Sequence, residues 1–152
     1  MVGGFLLNNE LTDFSFKHEK DGKPIANRVE ANKRPRSSMS PTIVMEAGRP
    51  VLLTGSPGGS RIINYVTQSV VAVLDWGMDP QDALNMGHVV NRNGKTDLEE
   101  GTEAVELQSA LEALGHEVNV RALNSGLHTI LIDGARYYGA ADPRRSGIAI
   151  GE

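Results

Sequence analysis

Val51-Leu52-Leu53-Thr54-Gly55-Ser56-Pro57-Gly58-Gly59-Ser60-Arg61-Ile62-Ile63 passes from an apolar, β-prone run through a glycine-rich turn into a segment of helical period. Ile62, Ile63, Val66, Val70, Val71, Val73 and Leu74 recur at three and four residues, which predicts a helix over 61–76. They cover most of its circumference, so it is read as largely buried, with Gly77 as its stop. A strand, a diglycine turn and a helix in that order have a chemical consequence. The first N–H groups of a helix are unpaired and its dipole favours negative charge there, while paired glycines let an anion or a reacting carbonyl approach the main chain. The turn suits a phosphate, an oxyanion, or simply the packing of a helix on a sheet. The Gly-Lys-Ser/Thr ending of a phosphate loop is missing, since Arg61 and Ile62 follow Ser60.

Upstream, Thr42–Met45 reads as a strand, Gly48-Arg49-Pro50 as a turn and Val51–Thr54 as a second strand, and the short connection implies an antiparallel hairpin. Phe16–Arg36 is polar and without period, hence a long loop, and Phe5-Leu6-Leu7 is read as a short strand entering a polar turn. Downstream, Asp79 is a helix N-cap with Pro80 at the first helical position. A strand around His88–Val90 and a turn at 91–94 follow. A third helix is expected over Glu103–Leu114, capped by Thr102 and closed by Gly115. Val118–Val120 and Thr129–Ile132 read as strands, and Asp133-Gly134 before Tyr137-Tyr138 as a hairpin turn. Strands, then helices, then strands give an α+β class with mainly antiparallel pairing, and nothing divides residues 1–152 into two domains.

The 152 residues suffice for a core, but one built from Val, Ile, Leu and Ala, because only 5% are aromatic. A net charge of −4 points to neither nucleic acid nor an anionic membrane surface. The absence of cysteine excludes disulfides and thiolate metal sites but leaves the compartment open. The four histidines match no metal pattern, and no cofactor motif stands out. Trp76 is read as a packing residue, and the basic stretch 27–36 as a solvated loop, since it holds Glu30 and no aromatic for base stacking.

Two smaller constellations could carry chemistry. Glu10 and Asp13, three residues apart, can converge on one cation and suit an ammonium, or are two solvated carboxylates. Ser37 and Ser38 can both donate to a carboxylate, or bond their own backbone in a turn.

Residues 6–14 (LLNNELTDF), 32–43 (NKRPRSSMSPTI), 54–63 (TGSPGGSRII) and 138–144 (YGAADPR) together resemble the γ-glutamyltranspeptidases, a family of N-terminal nucleophile hydrolases, in order and across nearly the whole chain. The resemblance implies part of an αββα sandwich, mainly antiparallel sheet with packed helices. It also implies cleavage of the γ-glutamyl amide of glutathione through a γ-glutamyl-enzyme, and transfer to an amino acid, a peptide or water. By position, Glu10 and Asp13 would hold the substrate's α-ammonium, Ser37 and Ser38 its α-carboxylate, and the amides of Gly58 and Gly59 the oxyanion. In the family a threonine opening the small subunit attacks, with its own α-amino group as base. Met1 stands first here and Thr12, Thr42 and Thr54 are internal, so the nucleophile is expected outside this chain and the chain alone is expected to be inactive. A large subunit of the same precursor is the implied partner, and its absence makes self-association an expectation. The family also implies a place outside the cytoplasm. A cephalosporin-acylase-like glutaryl amidase and a non-catalytic module from a truncated paralogue are the alternatives. Retention of both Glu10 and Asp13 speaks against the first.

Overall fold

A computed structural model describes residues 3–4 and 7–151, so the expected strand at Phe5-Leu6-Leu7 lies, but for Leu7, outside the described residues. The chain forms two compact units, Met1–Ser37 and Ser38–Glu152.

In the first unit Glu10–Asp13 makes one turn of 3-10 helix. The stretch expected as a bare loop contains a small hairpin, β1 (Glu19–Lys20) and β2 (Lys23–Pro24), turned at Asp21 and Gly22, both with positive φ. Asp-Gly supplies that geometry, but no alternating apolar residues flank it to announce a strand. Asn27 fastens the unit: its side-chain amide donates to the Asp13 carbonyl at 2.6 Å and accepts from the Arg36 N–H at 2.8 Å.

The second unit holds two sheets. β3 (Thr42–Glu46), β4 (Arg49–Gly55), β8 (His128–Asp133) and β9 (Arg136–Ala141) form an antiparallel sheet in that order. The β3–β4 turn falls at Ala47-Gly48, one step before the expected position, and Arg49 and Pro50 belong to β4. Leu52 and Thr54 pair with Leu131 and Thr129 and face α1 (Ile62–Leu74). Thr54 Oγ1 lies 2.9 Å from Thr129 Oγ1 and 3.4 Å from Ser69 Oγ, so the hydroxyls buried on this face satisfy one another. Ile43, Leu53 and Ile130 share the other face, where Ile43 and Ile130 are exposed.

α1 is more one-sided than its pattern suggested. Ile62, Tyr65, Val66, Ser69, Ala72 and Val73 are buried, while Ile63 and Leu74 face outward. Trp76, expected to pack, is 60% exposed because the helix ends at Leu74 and its buried stripe ends with it. α2 (Pro80–Asn85) begins as expected, Asp79 accepting from the Gln81 N–H.

The second sheet is β5 (Val89–Asn91), β6 (Thr96–Glu99) and β7 (Val118–Arg121). β6 and β7 run parallel, joined by a 3-10 segment, Glu103–Leu107, that leads into α3 (Gln108–Ala113). A single helix was expected there. Thr102 does cap it, accepting from the Ala104 N–H. Parallel strands require such a crossover.

Candidate active site

The first unit positions three expected site residues. In a 3-10 turn the side chains at i and i+3 eclipse, so Glu10 and Asp13 project from one side. The turn is fixed by Asn8, whose side chain accepts from the Glu10 N–H, and by Thr12, which donates from N–H and hydroxyl to the Asn9 carbonyl. Ser37 returns to this turn, its hydroxyl donating to Glu10 Oε1 at 2.6 Å. Asn27 makes that return possible, because its two bonds hold the main chain beside Asp13 and at Arg36.

The second unit positions the others. Thr42 and Thr54 are register partners, so Ser38, four residues before one, and Gly58, four residues after the other, lie off the same end of the sheet. Ser38 is half-buried and its carbonyl accepts from the Ser40 hydroxyl. Gly58 has φ +141° and ψ 9°, and Gly59 has φ +60°, which side chains strongly disfavour. The two glycines lead into a 3-10 turn, Gly59–Arg61, continuous with α1. Among the described residues the N–H groups of Gly58 and Gly59 have no acceptor. The turn is braced by Ser56, whose hydroxyl oxygen accepts from the Gly126 N–H, and by Arg92, which donates to Ser60 Oγ at 2.7 Å.

Beneath the diglycine lies a buried polar chain that the sequence did not reveal. Tyr65 sits against Gly58 and meets the His88 imidazole, ring centroids 4.3 Å apart and planes tilted by 38°. His88 Nε2 is 2.6 Å from Ser125 Oγ, and Ser125 donates to Asp142 Oδ2. A serine hydroxyl has one proton and here it points to Asp142, so the imidazole donates from Nε2 and Nδ1 carries the lone pair. Burial, with Arg144 nearby, pushes the His88 pKa down to about 4, in keeping with a neutral ring. Asp142 also accepts from the N–H groups of Leu127 and Arg144. Burial alone would raise its pKa, but Ser125, these amides and the guanidinium lower it on balance. Arg144 binds Glu99 through Nε and Nη2, Asp142 through Nη1, and the carbonyls of Leu84 and Met86. The only sequence signals for this chain were Asp142-Pro143-Arg144, near the end of the fourth motif, and a histidine without a metal pattern.

A family model for gamma-glutamyltranspeptidase matches residues 1–152. The chain belongs to the γ-glutamyltranspeptidase family. It is 42% identical over 153 residues to the glutathione hydrolase proenzyme of Escherichia coli, covering 93% of this chain and 26% of that protein. With the glutathione hydrolase proenzyme of Bacillus subtilis it shares 37% over 152 residues, covering 97% and 25%. The solved γ-glutamyltranspeptidase of Helicobacter pylori superposes with a TM-score of 0.79 at 34% identity, covering 95% of this chain and 83% of that one. The fold is thus that of the N-terminal nucleophile hydrolases, as the motifs implied. The chain spans about a quarter of the length of the curated relatives it matches, both of them proenzymes.

Proposed function

We propose that this chain is the C-terminal part of the small subunit of a γ-glutamyltransferase, and that the parent protein cleaves the γ-glutamyl amide of glutathione and related compounds. The observation that carries the reading is the diglycine turn: two consecutive residues in conformations suited to glycine, at a helix start, with amide protons uncommitted among the described residues. An oxyanion hole needs donors that are fixed beforehand and not already bonded. Gly58 and Gly59 supply them to the tetrahedral intermediates that form and break the γ-glutamyl-enzyme. The attacking threonine belongs to the remainder of the parent protein, and an amino acid, a peptide or water accepts the glutamyl group.

Substrate selection falls to the acidic turn and the serines. The charges of an amino-acid head group are one carbon apart, so its binders must be close neighbours, and the Ser37–Glu10 hydrogen bond supports that pairing. Glu10 and Asp13 take the ammonium; Ser37 and Ser38 take the carboxylate. The exposed apolar face of the first sheet, with Ile43 and Ile130, is the surface the rest of the parent protein covers, including its large subunit. Left uncovered, the same face would drive self-association. Residues 1–152 act in this reading as one functional piece.

The test uses the assembled parent enzyme. Asp13→Ala removes a charge-assisted bond of about 1.5–3 kcal/mol, so KM for glutathione rises by roughly one to two powers of ten. An unchanged KM, or equal turnover of glutaryl and γ-glutamyl amides, would refute the assignment of Asp13 and favour a glutaryl amidase.

A further inference from the structure

Gly58 is the one residue of the diglycine with side chains of α1 packed where its own would be. A Cβ built on Gly58 would stand 2.8 Å from Tyr65 Cε2 and 3.2 Å from Cδ2, whereas one built on Gly59 would meet nothing within 4 Å. Tyr65 is completely buried, and its hydroxyl has no hydrogen-bond partner among the described residues. A buried, unpaired hydroxyl opposes folding, so the ring and not the polar tip must account for what the residue contributes. The same ring meets the His88 imidazole, the two planes tilted by 38°, and Ser125 and Asp142 fix that imidazole in orientation. Gly58, Tyr65 and His88 therefore form a contact stack, each touching the next, that ends in a hydrogen-bonded buried network.

From this stack we infer that Tyr65 is a positioning residue for the oxyanion hole: its ring, backed by His88, holds the Gly58 amide where the reacting carbonyl needs it. The inference rests on the oxyanion role proposed for the diglycine. Without the ring, a residue as permissive as glycine has several accessible conformations, and the amide is aimed in only some of them. Displacement of a catalytic group by about 1 Å costs on the order of a hundredfold in rate, and loss of one oxyanion donor about 100–1,000-fold. Ground-state binding, which relies on Glu10, Asp13 and the serines, does not pass through this stack. The signature is a fall in kcat with KM preserved.

The experiment measures hydrolysis of a γ-glutamyl anilide by the assembled parent enzyme and its Tyr65→Phe and Tyr65→Leu variants, with folding checked by circular dichroism and thermal midpoint. Tyr65→Phe keeps the ring and is expected to hold wild-type kcat. Tyr65→Leu keeps apolar volume without the flat ring and is expected to lose about 10–100-fold in kcat, with KM within about twofold. Folded Tyr65→Leu with wild-type kcat overturns the inference, as does a loss confined to KM. A loss as large in Tyr65→Phe also overturns it, since the hydroxyl would then be the active part. Wild-type enzyme without γ-glutamyl turnover overturns the underlying reading as well, and is told apart because no variant is needed to see it.

Discussion

Replacing Arg144 by alanine is the most direct test of how the second unit is held together. All five guanidinium donors are used: Nε and Nη2 bind Glu99 at 2.5 and 2.7 Å, Nη1 binds Asp142 at 3.1 Å, and Nη1 and Nη2 reach the carbonyls of Leu84 and Met86 at 2.9 and 2.7 Å. The Arg144, Glu99 and Asp142 side chains are only 13%, 8% and 0% exposed, so solvent cannot replace what is lost. After truncation Asp142 keeps Ser125, the Leu127 N–H and the backbone N–H at position 144. Glu99 keeps the His88 N–H on Oε2 and loses its partner on Oε1. The cost therefore falls mainly on Glu99 and two carbonyls, and breaking a buried pair by removing one partner costs about 3–5 kcal/mol. With a urea m-value of about 1–3 kcal/mol/M, the unfolding midpoint should drop by roughly 2 M. The assay is urea unfolding followed by far-ultraviolet circular dichroism. Glu99→Gln removes the stranded charge, so the double variant should be less destabilised than the sum of the singles, by about 1–3 kcal/mol. A loss below about 1 kcal/mol for Arg144→Ala, or strictly additive effects, would refute the assignment of Arg144 as the keystone.

Three further outcomes follow from the same structure. The folded protein keeps His88 neutral down to about pH 4, whereas an unfolded imidazole protonates near 6.5. Its contribution is complete above about pH 6.5 and falls by about 1.4 kcal/mol per unit as pH drops toward 4, roughly 3 kcal/mol in all; His88→Gln should flatten the curve of unfolding midpoint against pH in that window. Gly58→Ala meets both the Tyr65 ring and a forbidden φ, so it should cost about 3 kcal/mol, against about 1 kcal/mol for Gly59→Ala, where the space is open; thermal midpoints distinguish them. Asn27→Ala removes the clamp between Asp13 and Arg36 and should raise KM for γ-glutamyl substrates about tenfold in the parent enzyme, with kcat nearly unchanged.

The part of the fold that could be read from the chain is the part with a simple apolar period. The hairpin β3–β4, the helix α1 and the hairpin β8–β9 follow from alternation or helical spacing joined to turn chemistry. β6 was missed because Thr96-Asp97-Leu98-Glu99 looks like a surface segment, although all four residues are buried. Each of its polar side chains has a partner outside the strand: Asn91 and His116 for Thr96, Arg61 and Asn119 for Asp97, Arg144 for Glu99. Local periodicity cannot report such partners. The same limit applies to the site. Glu10 with Asp13, and Gly58 with Gly59, are neighbours in sequence and visible as pairs. Asn27, His88 and Ser125 are bonded to residues far along the chain, and Tyr65 meets Gly58 across the turn that starts the helix, so nothing adjacent marks them.

Ser125, His88 and Asp142 have the residue types of a hydrolytic triad, and their wiring shows why they do not act as one. In such a triad the histidine accepts the serine proton and the carboxylate orients the histidine. Here the serine proton goes to Asp142 and the imidazole donates to the serine, so the imidazole cannot take the hydroxyl proton as its base. All three are also at most 2% exposed, leaving no path for a substrate carbonyl. Ser125→Ala should therefore behave as a structural change: it strands the His88 Nε2–H and removes one of the donors on Asp142, a loss of about 1–3 kcal/mol. The parent enzyme, assayed below its lowered thermal midpoint, should keep kcat within about tenfold, whereas loss of a true nucleophile costs several powers of ten. A folded Ser125→Ala enzyme slowed more than a thousandfold would mean that the buried hydroxyl reaches the reacting atoms, and the roles of both Ser125 and the diglycine would have to be redrawn.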